Sequence, residues 1–295
     1  MAAKTKHDMD YQLIDTNQGL IDYTNQLKEN NIRIVAMDLE AEYNLHSYGE
    51  KLALIQVYDR KNKILLDPLK INRRTLRLFL ENYRVQKIMY DASSDMFLLQ
   101  NSCDIKLEAV LDLRPAADLL DYEKRDLHSL INLELGMSLT KKSKFQKYNW
   151  LRRPLEQGAL DYALSDVLYL FELKDVILKK LYENKMLEEF MRVNSRIQSR
   201  DYHKNSDDKH KKVKGFRELS STEANVFKQL FETREKFAEE FNMPPHNLLS
   251  KDQLFQLIND PALITDLKKP KRMDIQDFSR LKKAIIKVLK DRRKR

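Results

Sequence analysis

A run of apolar residues that ends at two acids constrains this fold more than any other feature. Residues 32–39 read Ile-Arg-Ile-Val-Ala-Met-Asp-Leu, with apolar side chains at both odd and even positions through the middle. A strand with two apolar faces is typical of the interior of a sheet that helices cover on both sides. Further strand-like runs follow at 52–58, 63–66 and 86–90. The chain therefore predicts an α/β domain built around a central strand.

Helical periodicity is interleaved with these runs and then replaces them. Residues 72–83 carry apolar side chains at helical spacing, and Ser93-Ser94 predict the start of a short helix through Gln100. Val110-Leu111 predict a short fifth strand, after which the pattern is helical. Pro154-Leu155 favour the start of a long helix, because proline is tolerated at a first helical position.

Charge divides the chain into blocks. The whole sequence holds 54 Lys+Arg and 45 Asp+Glu, a net charge of +9. Residues 1–191 and 216–278 each have a net charge of −2, whereas 192–215 have +5 and 279–295 have +8. We therefore predict an α/β domain over 1–191, a basic linker over 192–215, and a small all-α domain with a basic tail over 216–295.

The helical periods of the last block support this division. Apolar positions recur at helical spacing over 222–241, after a capping Ser250, and over 275–289. The basic linker and tail are predicted to attract a polyanionic partner, although charge alone does not identify it.

Composition excludes several other classes. The five glycines are too far apart for a dinucleotide fingerprint or a phosphate-binding loop. The single cysteine, Cys103, makes neither an internal disulfide nor a thiolate zinc site. The polar start over 1–10 and the lack of an apolar run of about 18 residues predict no membrane partner and a cytoplasmic, soluble protein. Nothing in the sequence requires an oligomer.

Acidic residues carry the chemical signal. Asp38 and Glu40 stand two apart on the central strand, so both project from one face, repel each other and favour a divalent cation between them. Tyr162 and Asp166 share a helix face at i and i+4. Each feature has an ordinary explanation as well: solvated acids at a strand exit, an amphipathic helix, and, for Asp95, a favourable charge in the first turn of a helix.

The acids taken together point to metal chemistry. Three carboxylates from separate segments, with a fourth paired on the strand, provide the oxygen ligands that two Mg²⁺ or Mn²⁺ ions need. Two such ions about 3.5–4 Å apart can hold an attacking hydroxide and a leaving 3′ oxygen in line about one phosphorus. No cysteine or histidine ligand is required.

These residues resemble the three motifs of the DEDDy branch of 3′→5′ exonucleases. The motifs are Asp38-Leu-Glu40, Ser94-Asp95 and Tyr162-x-x-x-Asp166. Their surroundings are similar too: Leu54-Ile-Gln-Val, then Asp112 with Ala116-Ala117-x-Leu-Leu, then Trp150-x-x-Arg153-Pro154-Leu155. The resemblance covers about 32–173 and is nearest to the ribonuclease D type. Residues from about 216 to 291 resemble one HRDC (helicase and RNase D C-terminal) domain.

The resemblance implies an RNase H-like mixed sheet flanked by helices, followed by the small all-α HRDC domain. It implies that Asp38 bridges both metal ions and that Glu40 and Asp166 complete the site of the ion that activates water. Asp95 would hold the second ion, largely through water. Tyr162 would orient the attacking water, because a phenol is too weakly acidic to serve as a base at neutral pH.

Two further residues are implied as substrate contacts. Leu39 would pack against the terminal nucleotide, and Arg153 would contact a phosphate or else pair with a nearby acid. Family members often have His and a small residue where this chain has Tyr90-Asp91-Ala92, and a Thr where it has Leu113. One helical appendage fits here, whereas the best-known ribonuclease D form has two.

The expected activity is removal of nucleoside 5′-monophosphates from RNA 3′ ends, with Mg²⁺ or Mn²⁺, in the processing of tRNA precursors or other structured RNA. Two alternatives stay open. The same motifs occur in DNA exonucleases, so single-stranded DNA is the alternative substrate. No residue in the sequence indicates a contact to a 2′-hydroxyl, the group that distinguishes RNA from DNA. The other alternative is an inactive nucleic-acid-binding adaptor, which the retained acids and Tyr162 disfavour.

Overall fold

The computed structural model describes residues 10–139, 145–203 and 206–291, with the side chains of 206–208 left aside. These residues form two compact units. One contains the described residues up to Ala41 together with Lys51–His203, and the other contains Glu42–Glu50 and the described residues after His203.

A six-stranded sheet lies at the centre of the first unit, in the order β1-β4-β3-β2-β5-β6. Pairing is parallel for β1 with β4, β2 with β5 and β5 with β6, and antiparallel for β3 with β4. The sheet is therefore mixed, as predicted. The strands are β1 Gln12–Ile14, β2 Ile34–Tyr43, β3 Glu50–Tyr58, β4 Lys63–Leu66, β5 Gln86–Met89 and β6 Val110–Asp112.

The apolar run predicted as a central strand forms β2, with neighbours on both sides. Its side chains alternate between two cores: Val35 and Met37 lie in one hydrophobic cluster, and Ala36 in another. The strand also extends past the two acids to Tyr43. Asp38 and Glu40 therefore lie within β2 and not at its end, but they lie beyond Ala36, the last residue that pairs with β5.

Helices cover both faces of the sheet. On the first face α1 Asn17–Glu29, α2 Arg73–Leu80 and α3 Ser93–Leu98 pack into one cluster, and a π-helical turn, Leu99–Cys103, continues α3. The second face carries α4 Arg114–Leu119, α5 Leu127–Leu135, α6 Gln157–Leu168, α7 Leu170–Glu183 and α8 Leu187–Ser199. The α/β class and the helix-flanked sheet are confirmed.

The long helix expected from Pro154-Leu155 differs from the structure. Helix α6 begins at Gln157, after Glu156 in extended conformation, and ends at Leu168. A new helix, α7, follows directly at Leu170. The proline lies in the preceding loop, where the side chain of Arg153 binds the sheet, so proline marks the approach to the helix and not its first turn.

The segment expected as a basic linker, 192–215, is helical in its first part. Helix α8 continues through Ser199 because its uncharged amides bind the edge strand β6. The Asn194 side chain accepts from the Asp112 backbone N–H at 2.7 Å, and the Gln198 side chain accepts from Val110 at 2.9 Å. The distribution of charged residues does not predict contacts made by uncharged amide side chains. A later part forms a 3₁₀ turn at Ser206–Lys212, and a second 3₁₀ turn, Phe216–Glu218, follows directly after the segment.

The second unit is mainly helical. Its helices are α9 Ser221–Glu240, α10 Pro245–Leu248, α11 Lys251–Asn259 and α12 Ile275–Asp291, around a core that includes Phe227 and Ile285. Ser220 and Ser250 start α9 and α11 with reciprocal side-chain and backbone hydrogen bonds, as the sequence predicts for Ser250. The end of the basic tail, 292–295, lies outside the described residues. Among the described helices, none has the length and apolarity to cross a lipid bilayer.

Candidate metal and catalytic site

The candidate site starts from two side chains of one strand. Asp38 and Glu40 project from the same face of β2, because side chains alternate along a strand. This is the face that also carries Ala36 and packs against the later helices. Both acids are half-buried. The strand therefore holds two carboxylates side by side beneath α6 and its neighbours.

Helix α6 brings the third carboxylate. Ala159 and Ala163 pack fully buried against Leu54 of β3, and these small residues let the helix lie close to the sheet. On the same helix Tyr162 and Asp166 stand one turn apart. Carboxylate oxygens of Asp38, Glu40 and Asp166 all lie within 4.8 Å of one another. Three of the predicted ligands are thus brought together from two elements, although Glu40 and Asp166 are 126 positions apart in the chain.

Asp95 is carried by the helix that follows β5, the strand that pairs with β2. It lies in the first turn of α3, which follows the carboxyl end of β5. It is outside the group of three, yet its charge raises the pKa of Asp38 and of Glu40. Asp112 supports the turn before this helix: its carboxylate accepts backbone N–H groups of Asp91 at 2.8 Å and Ala92 at 3.0 Å. Asp112 therefore positions the turn that presents Asp95.

Electrostatics make this cluster costly without a cation. Burial raises the pKa of Asp38 and of Glu40 well above their usual values, and the neighbouring carboxylates raise both further. Burial, with smaller contributions from Asp91 and Asp112, raises the pKa of Asp95 to about 8. Burial also raises the pKa of Asp166, against the effect of a hydrogen bond from His128. Four acids in one place resist ionisation together.

The donor set fits a divalent metal. The acids offer carboxylate oxygens, which Mg²⁺ and Mn²⁺ prefer. In the part of the chain that the structure describes, no lysine or arginine is within ion-pair distance of the group of three or of Asp95, and the basic side chain that contacts one of these acids is His128, at Asp166. A bound cation would supply the missing positive charge.

Aromatic rings fix Tyr162. Its ring centroid lies 5.7 Å from that of Phe145, 6.4 Å from Trp150 and 6.5 Å from His128. Phe145 and Trp150 are almost fully buried. Gly158 makes room for this packing, because a Cβ there would lie 3.2 Å from Phe145 Cζ. The phenol is therefore held over the same helix face as Asp166, and burial raises its pKa above the usual value.

Arg153 is bound within the protein. Its Nε and Nη2 donate to the two oxygens of Asp67, each at 2.8 Å. The remaining donors go to three backbone carbonyls, those of Trp150, Arg152 and Ala53. A guanidinium has five N–H groups, and all five are used here. The geometry corresponds to the acid-pairing alternative, and a phosphate contact would require one of these bonds to break.

Leu39 and His128 complete the account of the site. Leu39 is 7% exposed and lies in the hydrophobic cluster on the opposite face of β2 from the acids. Its contact with a nucleotide stays a prediction. His128 was missed by sequence reasoning: its Nε2 lies 3.0 Å from Asp166 Oδ1. No local spacing links two residues that are 38 positions apart, so a shared fold was needed to find the pair.

Comparison with known proteins gives the class. The family described as 3′-5′ exonuclease matches residues 11–182, more than half of the chain. The chain belongs to this family of 3′-5′ exonucleases. Among curated relatives it is similar to ribonuclease D of Desulfotalea psychrophila, with 27% identity over 252 residues that cover 81% of this chain and 66% of the relative. The chain spans less than two thirds of the length of the first curated relatives it matches.

Solved structures show the same fold. Escherichia coli RNase D superposes with a TM-score of 0.77 at 19% identity, over 97% of this chain and 76% of that one. The catalytic core of RRP6 from Trypanosoma brucei superposes with a TM-score of 0.79 at 20% identity, over 98% and 81% of the two chains. The predicted RNase H-like exonuclease fold is confirmed.

Proposed function

We propose that this protein is a divalent-metal-dependent 3′→5′ exoribonuclease of the ribonuclease D type. The observation that carries the proposal is the group of three carboxylates within 4.8 Å, with Tyr162 one helical turn from Asp166. The match to the 3′-5′ exonuclease family supports the reaction, and the likeness to ribonuclease D supports RNA as the substrate class.

The roles proposed for the acids are those that the resemblance implies, and the positions of the side chains are compatible with them. Asp38, Glu40 and Asp166 would bind one cation together, and Asp38 would share a second with Asp95. The resemblance implies that the contact of Asp95, which lies outside the group of three, passes largely through water. Cations bound there supply a water-derived nucleophile and neutralise charge on the scissile phosphate. We propose Mg²⁺ or Mn²⁺, since all donors are carboxylates.

Tyr162 would orient the attacking water. Burial raises the pKa of its phenol above the usual value of 10, so the hydroxyl keeps its proton at neutral pH. A protonated phenol accepts from water or donates to phosphate, and its aromatic neighbours fix the ring while it does so. The tyrosine is therefore an orienting group and not a general base.

The substrate and the domain organisation belong to the same proposal. We propose that tRNA precursors or other structured RNAs are trimmed at their 3′ ends in the cytoplasm, with release of nucleoside 5′-monophosphates. We further propose that 216–295 act as an HRDC-type module that engages RNA outside the exonuclease domain. The helices and hydrophobic core of the second unit are consistent with such a module.

A direct comparison of substrates tests the proposal. Labelled RNA and DNA of one sequence, each with a free or a blocked 3′ end, are incubated with the protein and Mg²⁺, Mn²⁺ or EDTA. We expect stepwise shortening of unblocked RNA, 5′-monophosphate products and no reaction in EDTA. Equal degradation of DNA would move the assignment to a DNA exonuclease, and no cleavage of either would favour an inactive adaptor. Products ending in 3′-phosphate would exclude the two-metal reaction.

A further inference from the structure

His128 makes a shielded contact with the candidate metal site. It is the second residue of α5, which Asp126 caps by accepting the Ser129 backbone N–H. The distance from His128 Nε2 to Asp166 Oδ1 is 3.0 Å, and the two side chains are 14% and 12% exposed. Because a carboxylate oxygen accepts, the imidazole Nε2–H donates. Water therefore competes little for this hydrogen bond.

The contact differs from the surroundings of the other acids. Among the described residues, His128 is the one side chain that forms a hydrogen bond with any of Asp38, Glu40, Asp95 and Asp166. Asp166 faces two like charges across 4.8 Å or less, and repulsion favours rotamers that turn its carboxylate away from them. A donor fixed by α5 opposes that rotation.

We propose that His128 is a positioning residue that holds Asp166 in the orientation needed to bind a divalent cation. The imidazole holds one oxygen, Oδ1, and the carboxylate offers an oxygen within 4.8 Å of oxygens of Asp38 and Glu40. Groups that hydrogen-bond a metal ligand fix its geometry and raise metal affinity, commonly by 10- to 100-fold. The inference rests on the metal site of the proposed function and adds a residue that the exonuclease motifs do not contain.

A purely structural role makes a different prediction. The helix that carries His128 is also held by Leu130 and Ile131, which are fully buried in the core beside α7. If His128 only stabilised this packing, its replacement would lower the melting temperature and leave the metal affinity of the folded protein unchanged.

Manganese binding without RNA separates the two roles. The full chain, freed of metal, is titrated with Mn²⁺ by calorimetry, and the melting temperature of each variant is recorded. We expect His128→Ala to weaken Mn²⁺ binding by roughly 10- to 100-fold with little change in melting temperature. His128→Gln should recover most of the affinity, because its amide N–H can donate to the same oxygen.

A surface pair provides a matched control. His203 Nδ1 lies 2.7 Å from Asp201 Oδ1, but these side chains are 65% and 77% exposed. His203→Ala should bind Mn²⁺ as the wild type does. In turnover assays His128→Ala should lower kcat, leave KM for RNA nearly unchanged, and regain rate at high Mn²⁺ concentration.

Two outcomes would overturn the inference. Equal Mn²⁺ affinity of the wild type and His128→Ala would show that the hydrogen bond does not position the ligand. Equal loss in His128→Ala and His128→Gln, with unchanged melting temperatures, would show that donation is not the cause. Failure of the proposed function looks different, because the wild type itself would then bind no Mn²⁺.

Discussion

Two acidic regions of the first unit differ in the charges that surround their carboxylates. Asp67, whose side chain is 4% exposed, is paired with Arg153 through two hydrogen bonds of 2.8 Å. Burial alone would raise the pKa of Asp67, but the hydrogen bonds and the charge of Arg153 outweigh it and lower the pKa. Asp38 has carboxylates as its neighbours, and burial together with their charges raises its pKa well above the usual value.

The difference shows what each region is built for. A carboxylate paired with a guanidinium joins one segment to another, here the loop before α6 to the end of β4. Carboxylates gathered with no lysine or arginine at ion-pair distance among the described residues destabilise the metal-free fold, because like charges repel in a partly desolvated place. Such an arrangement is explained by a ligand that brings positive charge, and a divalent cation does so most compactly.

The largest effect is expected from Asp166→Asn. Loss of one negative ligand should reduce turnover of RNA by at least about a thousandfold, equivalent to about 4 kcal/mol in the barrier. RNA binding should largely survive, since phosphate contacts elsewhere remain. Single-turnover rates and the binding of 3′-blocked RNA measure the two separately. A variant that cleaves at the wild-type rate would show that Asp166 is not a ligand.

Breaking the paired acid should damage stability instead. Asp67→Asn leaves the Arg153 guanidinium, which is 27% exposed, without its charge partner. We expect a loss of about 2–3 kcal/mol in the free energy of unfolding, measured in urea. Affinity of the folded variant for RNA should stay unchanged. A selective loss of RNA affinity in Arg153→Met would instead restore that residue as a phosphate contact.

The same change, Asp to Asn, should increase stability when it is made in the acidic cluster. Asp38→Asn removes one of the repelling charges, so the metal-free protein should gain stability, by about 1 kcal/mol. The comparison is made by urea unfolding in EDTA and again with Mn²⁺, where the variant should lose the stabilisation that the wild type gains. A variant less stable than the wild type in EDTA would contradict the repulsion.

Stability should depend on pH in opposite directions in the two regions. Asp95 has an ordinary pKa of 3.8 and a folded pKa of about 8, so the folded state binds more protons between these values. Metal-free protein should therefore lose stability steadily as pH rises from 5 to 8, which thermal unfolding measures as a falling Tm. Asp67 contributes a dependence of the opposite sign. Because its pKa is lower in the folded state than in the unfolded state, stability falls as the pH falls below about 4.

Added metal provides the control for this dependence. With saturating Mn²⁺ the decline between pH 5 and 8 should disappear, because the cation favours the ionised carboxylates in the folded state. A decline of equal slope in EDTA and in Mn²⁺ would assign it to other groups.

The smallest effect is expected where a similar pair is exposed. Lys70 Nζ lies 2.8 Å from Asp15, but its side chain is 58% exposed. Lys70→Ala should leave stability unchanged within error, because surface ion pairs contribute little. A loss as large as that of Asp67→Asn would mean that proximity, and not burial, decides how these acids behave.

The sequence predicted the elements that are long enough to show a hydrophobic periodicity. The run over 32–39 predicted β2, and three helices of the second unit, α9, α11 and α12, were predicted nearly to their ends, whereas the short α10 was not predicted. Strand β1 was missed because three residues, Gln12–Ile14, are too few to show a period. The sequence did not indicate that α8 extends to Ser199, within the segment expected as a linker, because Asn194 and Gln198 act through amides and carry no charge.

The candidate site could be predicted only as far as its motifs extend. Asp38, Glu40 and Asp166 carry a recognisable spacing, and the structure places their oxygens together. His128 carries none, since it meets Asp166 only through the packing of α5 beside α6. For Arg153 the sequence left two partners open, and the fold supplies Asp67.

The position of bound metal tests the central claim most directly. Crystals of the protein soaked in Mn²⁺ would be measured at a wavelength where manganese scatters anomalously. We expect one anomalous peak in contact with Asp38, Glu40 and Asp166, and a second between Asp38 and Asp95. Peaks absent from these carboxylates at saturating Mn²⁺, in crystals of active protein, would contradict the metal site and the reaction built on it.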